Sequence, residues 1–130
     1  MEDKNFIPII NKKEISKVFI ENILLIEQEL RKIFIFAEED QHYKYGKIDE
    51  LLIYLDDRFF RCHQSCFINM EKIVMMRDQT FFFNNGYKYM VGREKFHLAK
   101  QKFAGYMTQE AQRIQSYKKI ACMKESNAVY

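Results

Sequence analysis

Residues 80–92 read TFFFNNGYKYMVG, and they constrain the fold more than any other stretch of the chain. Asn85-Gly86 lies between two runs of aromatic residues. Asn-Gly is the preferred pair for a two-residue type I′ turn, in which both central residues take positive φ. The pair therefore predicts a β-hairpin, with one strand before Asn85 and one after Gly86.

Other segments carry the same signature. NFIPIIN (Asn5–Asn11) reads as an edge strand, because Pro8 cannot donate to a ladder. ENILLIEQ (Glu21–Gln28) is a short apolar run with polar ends, as expected of a core strand. RKIFIFAEED (Arg31–Asp40) and QHYKYGK (Gln41–Lys47) read as paired strands with a turn near Glu39–Asp40. RFFRCH (Arg58–His63) and EKIVMMRD (Glu71–Asp78) read as two more. Phe 12 and Tyr 8 suit a pleated, half-buried surface. Connections this short join antiparallel strands, since parallel ones need long crossovers.

Two segments depart from the β pattern. Leu51, Leu52 and Leu55 have the spacing of a helix face, so a helix of about two turns is expected, with Asp49 as its N-cap. After Gly92 the period changes again. Phe96, Ala99, Phe103 and Tyr106 share one helical face, Ile114 and Tyr117 continue it, and Gly105 is placed to break or kink it. The expected class is mostly β with minor α: small antiparallel sheets, one short internal helix and a C-terminal helix. No internal repeat and no low-complexity tract interrupts it.

A chain of 130 residues, 48% hydrophobic, is one domain able to bury a core. MEDKNF has no apolar run behind it and so lacks the form of a signal peptide, and no apolar stretch is long enough to span a bilayer. The three cysteines are accordingly expected as reduced thiols in a cytoplasmic protein. The net charge of +3 is unevenly placed: residues 1–87 hold 12 Lys+Arg against 15 Asp+Glu, and residues 88–130 hold 9 against 3. That segregation fits a face that meets a polyanion, and equally a solvated basic helix.

The stretch DDRFFRCHQSCFIN (Asp56–Asn69) gathers most of the chemistry. Cys62, His63 and Cys66 are close in sequence, but a zinc site needs a second ligand pair, and Cys122 and His97 stand apart. Adjacent Cys62 and His63 on a strand point to opposite faces, which argues against a shared ion and against a thiol–imidazole couple. On an unbent strand, Cys62 and Cys66 would also be too far apart for an unstrained disulfide, which weakens a redox-sensor reading. Paired acids at Asp56-Asp57 and Glu38-Glu39-Asp40 fall in turns, and no phosphate-cradling or dinucleotide motif is present. Neither a metal nor another cofactor, nor an enzymatic activity, is expected. What remains is a polar surface. Arg61, His63 and Ser65 would share one face if the strand continued, and Gln64 would follow where it gives way to a loop. Arg, Gln, Ser and Asn serve phosphates and base edges. They serve equally well as buried braces for a loop.

FFRCHQSCFIN resembles the signature of the LytTR family of bacterial DNA-binding domains, a Phe-x-Arg-x-His-x-Ser-like run closed by Asn. Phe59, Arg61, His63, Ser65 and Asn69 stand in register with it. ENILLIE (Glu21–Glu27) is similar to the family's upstream strand, with Asn22 in place of an acid. KIDELLIYL is similar to the short helix before the signature, and VGR (Val91–Arg93) to the Ser-Arg that opens the last helix. Gly92 stands where Ser is usual, Arg31 or Lys32 where His is frequent, and Gln64 where Asn or Arg is frequent. The resemblance spans about Phe6 to Phe103.

The resemblance implies small antiparallel sheets whose loops, rather than a recognition helix, enter major grooves of double-stranded DNA. In the usual regulators a receiver domain comes first. None fits before Phe6, so a stand-alone, response regulator-like form is expected, with residues 1–106 as the DNA-binding domain and 107–130 as a basic helical extension. It further implies a sequence-specific bacterial transcription regulator acting as a homodimer on DNA, not inserted in a membrane, with room for a regulatory protein partner. Arg31, Lys32, Gln64 and Arg93 are the candidates for base contacts. Arg61, His63, Ser65 and Lys95 would position phosphates or brace the loops. The rival expectation is a β-rich interaction module whose basic tail binds an acidic partner.

Overall fold

A computed structural model describes residues 5–128, the side chains of 123–128 excepted. The strands are β1 (Phe6–Ile10), β2 (Ile15–Phe19), β3 (Ile23–Glu29), β4 (Lys32–Ala37), β5 (Gln41–Tyr45), β6 (Phe59–His63), β7 (Cys66–Asn69), β8 (Ile73–Arg77), β9 (Thr80–Phe83) and β10 (Lys88–Met90). A single helix, α1 (Arg93–Ala128), follows. The strands form three antiparallel sheets: the ribbon β1-β2, the trio β10-β9-β8, and a five-stranded sheet in the order β5-β4-β3-β7-β6.

The five-stranded sheet is the centre, because both of its faces are covered. One face packs with the β1-β2 ribbon through Ile7, Ile9, Val18, Ile26, Ile33, Ile35 and Phe67. The other packs with the trio and α1 through Leu25, Cys62, Cys66, Ile68, Phe81, Ala99 and Phe103. β3 therefore has to be apolar on both faces. A bulge between Ile23 and Leu25 adds to this, turning the successive residues Leu24 and Leu25 toward the same cluster. That arrangement accounts for the uninterrupted apolar run in ENILLIEQ.

Several elements differ from expectation. β2 was not anticipated. Its ISKVF contains one buried residue, Val18, so its pattern is weak and its place comes from pairing with β1. The internal helix is a 3₁₀ helix, Ile48–Tyr54, and its N-cap is Lys47 rather than Asp49. The Asn85-Gly86 hairpin exists, but its loop is longer than two residues. Phe83 N–H donates to Tyr87 C=O at 2.9 Å, and within the loop only Gly86, at φ +92°, is positive. This is the three-residue form, with the last loop residue left-handed. The turn with two positive φ values is the one between β8 and β9, at Asp78 (+53°) and Gln79 (+56°). Gly105 neither breaks nor ends α1, which runs without interruption to Ala128. The helix is anchored at its start, where Phe96 stacks on Phe81 with ring centroids 6.0 Å apart. Ala99 and Phe103 are buried and Tyr106 is half-buried, whereas Ile114 and Tyr117 are exposed.

Candidate nucleic-acid interface

The antiparallel order brings three connections to one end of the five-stranded sheet. They are the β3–β4 turn (Leu30, Arg31), the loop from β5 into the 3₁₀ helix (Gly46, Lys47), and the β6–β7 turn (Gln64, Ser65). One side chain ties them together. Gln28 Nε2 donates to Leu30 C=O at 3.0 Å and to Gly46 C=O at 2.8 Å, while its Oε1 accepts from Ile48 N–H at 2.8 Å. Its backbone N–H donates to Ser65 C=O at 2.8 Å, and Gly46 N–H donates to Arg31 C=O at 3.0 Å. Gly46 sits at φ +141°, so the backbone demands glycine; a Cβ there would come within 2.7 Å of the Glu50 carboxylate, the free end of an exposed side chain that can swing aside.

The β6–β7 connection also revises the expected geometry of the opening motif. The strand does not continue past His63; it reverses, and Gln64-Ser65 is the turn of a tight hairpin. Arg61 stays at the surface, but its donors are taken up within the fold. Its guanidinium donates to the Asp49 carboxylate at 2.6 Å and to Gln64 C=O at 2.5 Å, and it lies 4.9 Å over the Phe67 ring. His63 Nδ1 is 3.0 Å from Ser65 Oγ. The reversal also brings Cys62 and Cys66, both buried, into hydrogen-bond contact, so the separation expected on an unbent strand does not hold. The hydrogen bond from Cys66 lowers the Cys62 thiol, with help from nearby Lys95, and the same bond together with burial pushes Cys66 up. Lys95 itself is half-buried. Lys32 lies 4.6 Å over the Tyr43 ring and 5.7 Å over that of Tyr45.

Arg31, Gln64 and Arg93 behave differently. All three are exposed, and among the described residues their side chains have no hydrogen bond or ion pair. Arg93 opens α1, which packs along β6. Leu98, more than one helical turn on, borders both the groove of Arg61, Cys62, His63 and Gln64 and the depression that holds Arg93 and His97. The second turn of α1 thus lies beside the β6–β7 turn, one turn on from Arg93.

The LytTr DNA-binding domain family model matches residues 13–104. The chain belongs to the LytTR family. Its fold is shared by a Bacillus cereus chain described as the LytTr DNA-binding domain of a methyl-accepting/DNA response regulator. That chain is 21% identical, with a TM-score of 0.62 over 79% of this protein and 99% of the other. No protein of curated function matches.

Within the LytTR signature, each residue now has a physical place. Asn69 is fully buried; its Nδ2 donates to Ile23 C=O at 2.8 Å, and its Oδ1 accepts from Glu71 N–H at 3.0 Å, capping a 3₁₀ turn at Met70–Lys72. Phe59 and Phe60 fall on opposite faces of the sheet. Sequence reasoning did not single out Gln28, Leu30 or Lys47, and it gave Asp49 the wrong task. Gln28 stands between Glu27 and Glu29 at the polar end of its strand, with nothing beside it to mark its reach. The partner of Arg61 lies 12 residues upstream on another element. Among the described residues no helix is long and apolar enough to cross a membrane, and no cluster of His, Cys, Asp or Glu could hold a metal ion.

Proposed function

We propose that this LytTR protein is a sequence-specific transcription regulator of the bacterial cytoplasm, without catalytic activity, whose loop end enters the major groove. The observation that carries the reading is the set of unpaired, exposed donors on neighbouring elements: Arg31 and Gln64 on two turns, and Arg93 at the head of α1. A guanidinium held on a rigid backbone can pair with guanine O6 and N7 at once, and a glutamine amide can pair with adenine N6 and N7. Arg61, His63 and Ser65 are engaged within the hairpin and are assigned to bracing it. Lys32 and Lys95 supply positive charge to nearby phosphates.

Residues 1–106 are the DNA-binding unit in this reading, and 107–130 a basic extension that adds charge or meets a regulatory partner. Two protomers bind half-sites about one helical turn apart, roughly 10–10.5 bp. The test is selection of bound sites from random duplex DNA, followed by titration at several salt concentrations. Two similar half-sites and a steep linear fall of log affinity with log salt are expected, because each neutralised phosphate releases counterions. Failure to enrich any sequence, with tight binding to an acidic protein surface instead, would favour the interaction-module reading.

A further inference from the structure

Leu30 is the most exposed of the large apolar residues described, at 92% exposure. It occupies the first position of the two-residue β3–β4 turn, between the paired residues Glu29 and Lys32, and its φ is +58°. Glycine is the ordinary occupant of such a position, because a Cβ there crowds the backbone. A leucine at this point strains the turn and gains no burial for it.

The β8–β9 turn shows what a self-explained case looks like. Asp78 and Gln79 also take positive φ, but they are polar residues in water, and the turn is tied down by its own bonds. Gln79 Nε2 donates to Val91 C=O at 3.1 Å, and Val91 N–H donates back to Gln79 C=O at 3.0 Å. The side chain of Leu30 does no such task. Its backbone, by contrast, is held firmly: Gln28 Nε2 bonds its carbonyl, and Gly46 N–H bonds the carbonyl of Arg31. The turn is a rigid mount that points an apolar tip outward beside the unpaired Arg31. Glu29, Leu30, Arg31, Lys32 and Phe34 line a mostly apolar depression there. Strain retained at a rigid surface position marks a function outside the folded chain.

We infer that Leu30 is a specificity-determining residue that packs against the C5 methyl group of a thymine in the major groove. That methyl is the apolar feature by which base edges in this groove differ, and aliphatic side chains recognise it. The inference rests on the DNA-binding reading above, and adds that one A·T pair in the site is read by contact rather than by hydrogen bonds. Arg31, next in the turn, would then reach a neighbouring phosphate or base.

The test uses the full chain and the site obtained by selection. Each thymine in turn is replaced by deoxyuridine, which removes only the methyl group, and wild type is compared with Leu30→Gly and Leu30→Asn. Both variants suit a positive φ, so their melting temperatures should match or exceed that of wild type. Wild type should lose roughly 3–5-fold in affinity at one thymine, the value of one buried methyl. Both variants should bind the natural site more weakly and should not respond to deoxyuridine at that position. Equal responses of wild type and variants to every replacement would overturn the role of Leu30 while leaving DNA binding intact. A wild-type chain that selects no site would overturn both.

Discussion

The two ends of the five-stranded sheet are built on opposite rules. At the end holding Ile23, Ala37 and Asn69, polar groups are consumed by the fold. Asn69 bonds Ile23 C=O, Asn85 Nδ2 donates to Glu38 C=O at 2.8 Å, Lys72 pairs with Glu38 at 2.8 Å, and Arg58 pairs with Asp56 at 2.8 Å. Glu39, Asp40, Asp56 and Asp57 are exposed there, so the end is acidic and repels a polyanion. At the other end Gln28 and Arg61 brace the backbone, while Arg31, Gln64 and Arg93 are left unpaired. Rigidity at both ends thus comes from hydrogen bonds between loops, but the open end keeps guanidinium groups in reserve, whereas Arg58 and Lys72 at the acidic end are paired. A binding surface needs both properties: fixed backbones, so that little entropy is lost on docking, and unspent donors.

The contrast breaks most severely at Asn69. Asn69→Leu leaves Ile23 C=O without a partner in the interior and Glu71 N–H without one in a part-buried setting, and about 2–4 kcal/mol of stability should be lost. Urea unfolding measures this, while the folded fraction should bind DNA as wild type does. A comparable loss of affinity would show that the two ends are not separable.

Arg93 probes the open end. Arg93→Ala should cost about 1–3 kcal/mol on the selected site and relax the preference at one base pair. Arg93→Lys should restore little, since an ammonium lacks the forked geometry. Titrations on selected and scrambled duplexes at fixed salt check it: an equal loss on both would make Arg93 a phosphate contact instead.

Arg61 tests the brace. Arg61→Ala removes two hydrogen bonds and a ring contact in a partly exposed setting, and about 1 kcal/mol of stability should go. Because the β6–β7 turn loosens as a whole, affinity should fall on every sequence rather than at one base. A change confined to one base pair would instead place Arg61 among the readers.

The smallest effect is expected at the helix start. Phe96 N–H donates to Gly92 C=O at 3.0 Å, so Gly92 holds the N-cap position without a side chain to cap it, and a Cβ there meets nothing within 4 Å. Gly92→Ser should add a few tenths of a kcal/mol, read as a small rise in melting temperature. Should it also alter the base preference, the head of α1 would be shown to be mobile in binding.

Much of this architecture follows from local pattern. Alternation and aromatic content place β1, β3, β4, β5, β6, β8 and the β9–β10 hairpin, because a strand declares itself by which of its own neighbours are apolar. The buried face of α1 follows from the spacing of Phe96, Ala99, Phe103 and Tyr106 for the same reason. β2 escapes because its pairing with β1, not its own alternation, holds it in place. The turn chemistry is misread where tertiary bonds decide it: Asn85-Gly86 takes a three-residue loop, while Asp78-Gln79, with no glycine, takes the doubly left-handed form.

Function divides along the same line. The residue types that could meet DNA can be read directly: Arg31, Gln64, Arg61 and Arg93 all carry donors. Which of them are free cannot be read, because pairing is decided between segments far apart in the chain. Arg61 is spent on Asp49, 12 residues away, and Gln28 reaches Gly46 and Ile48, 18 and 20 residues away, to fix the loops that carry the others. Sequence patterns report on neighbours within a turn or a pleat. The division of four similar donors into one brace and three unpaired donors arises only when the sheet closes and brings its loops to one end.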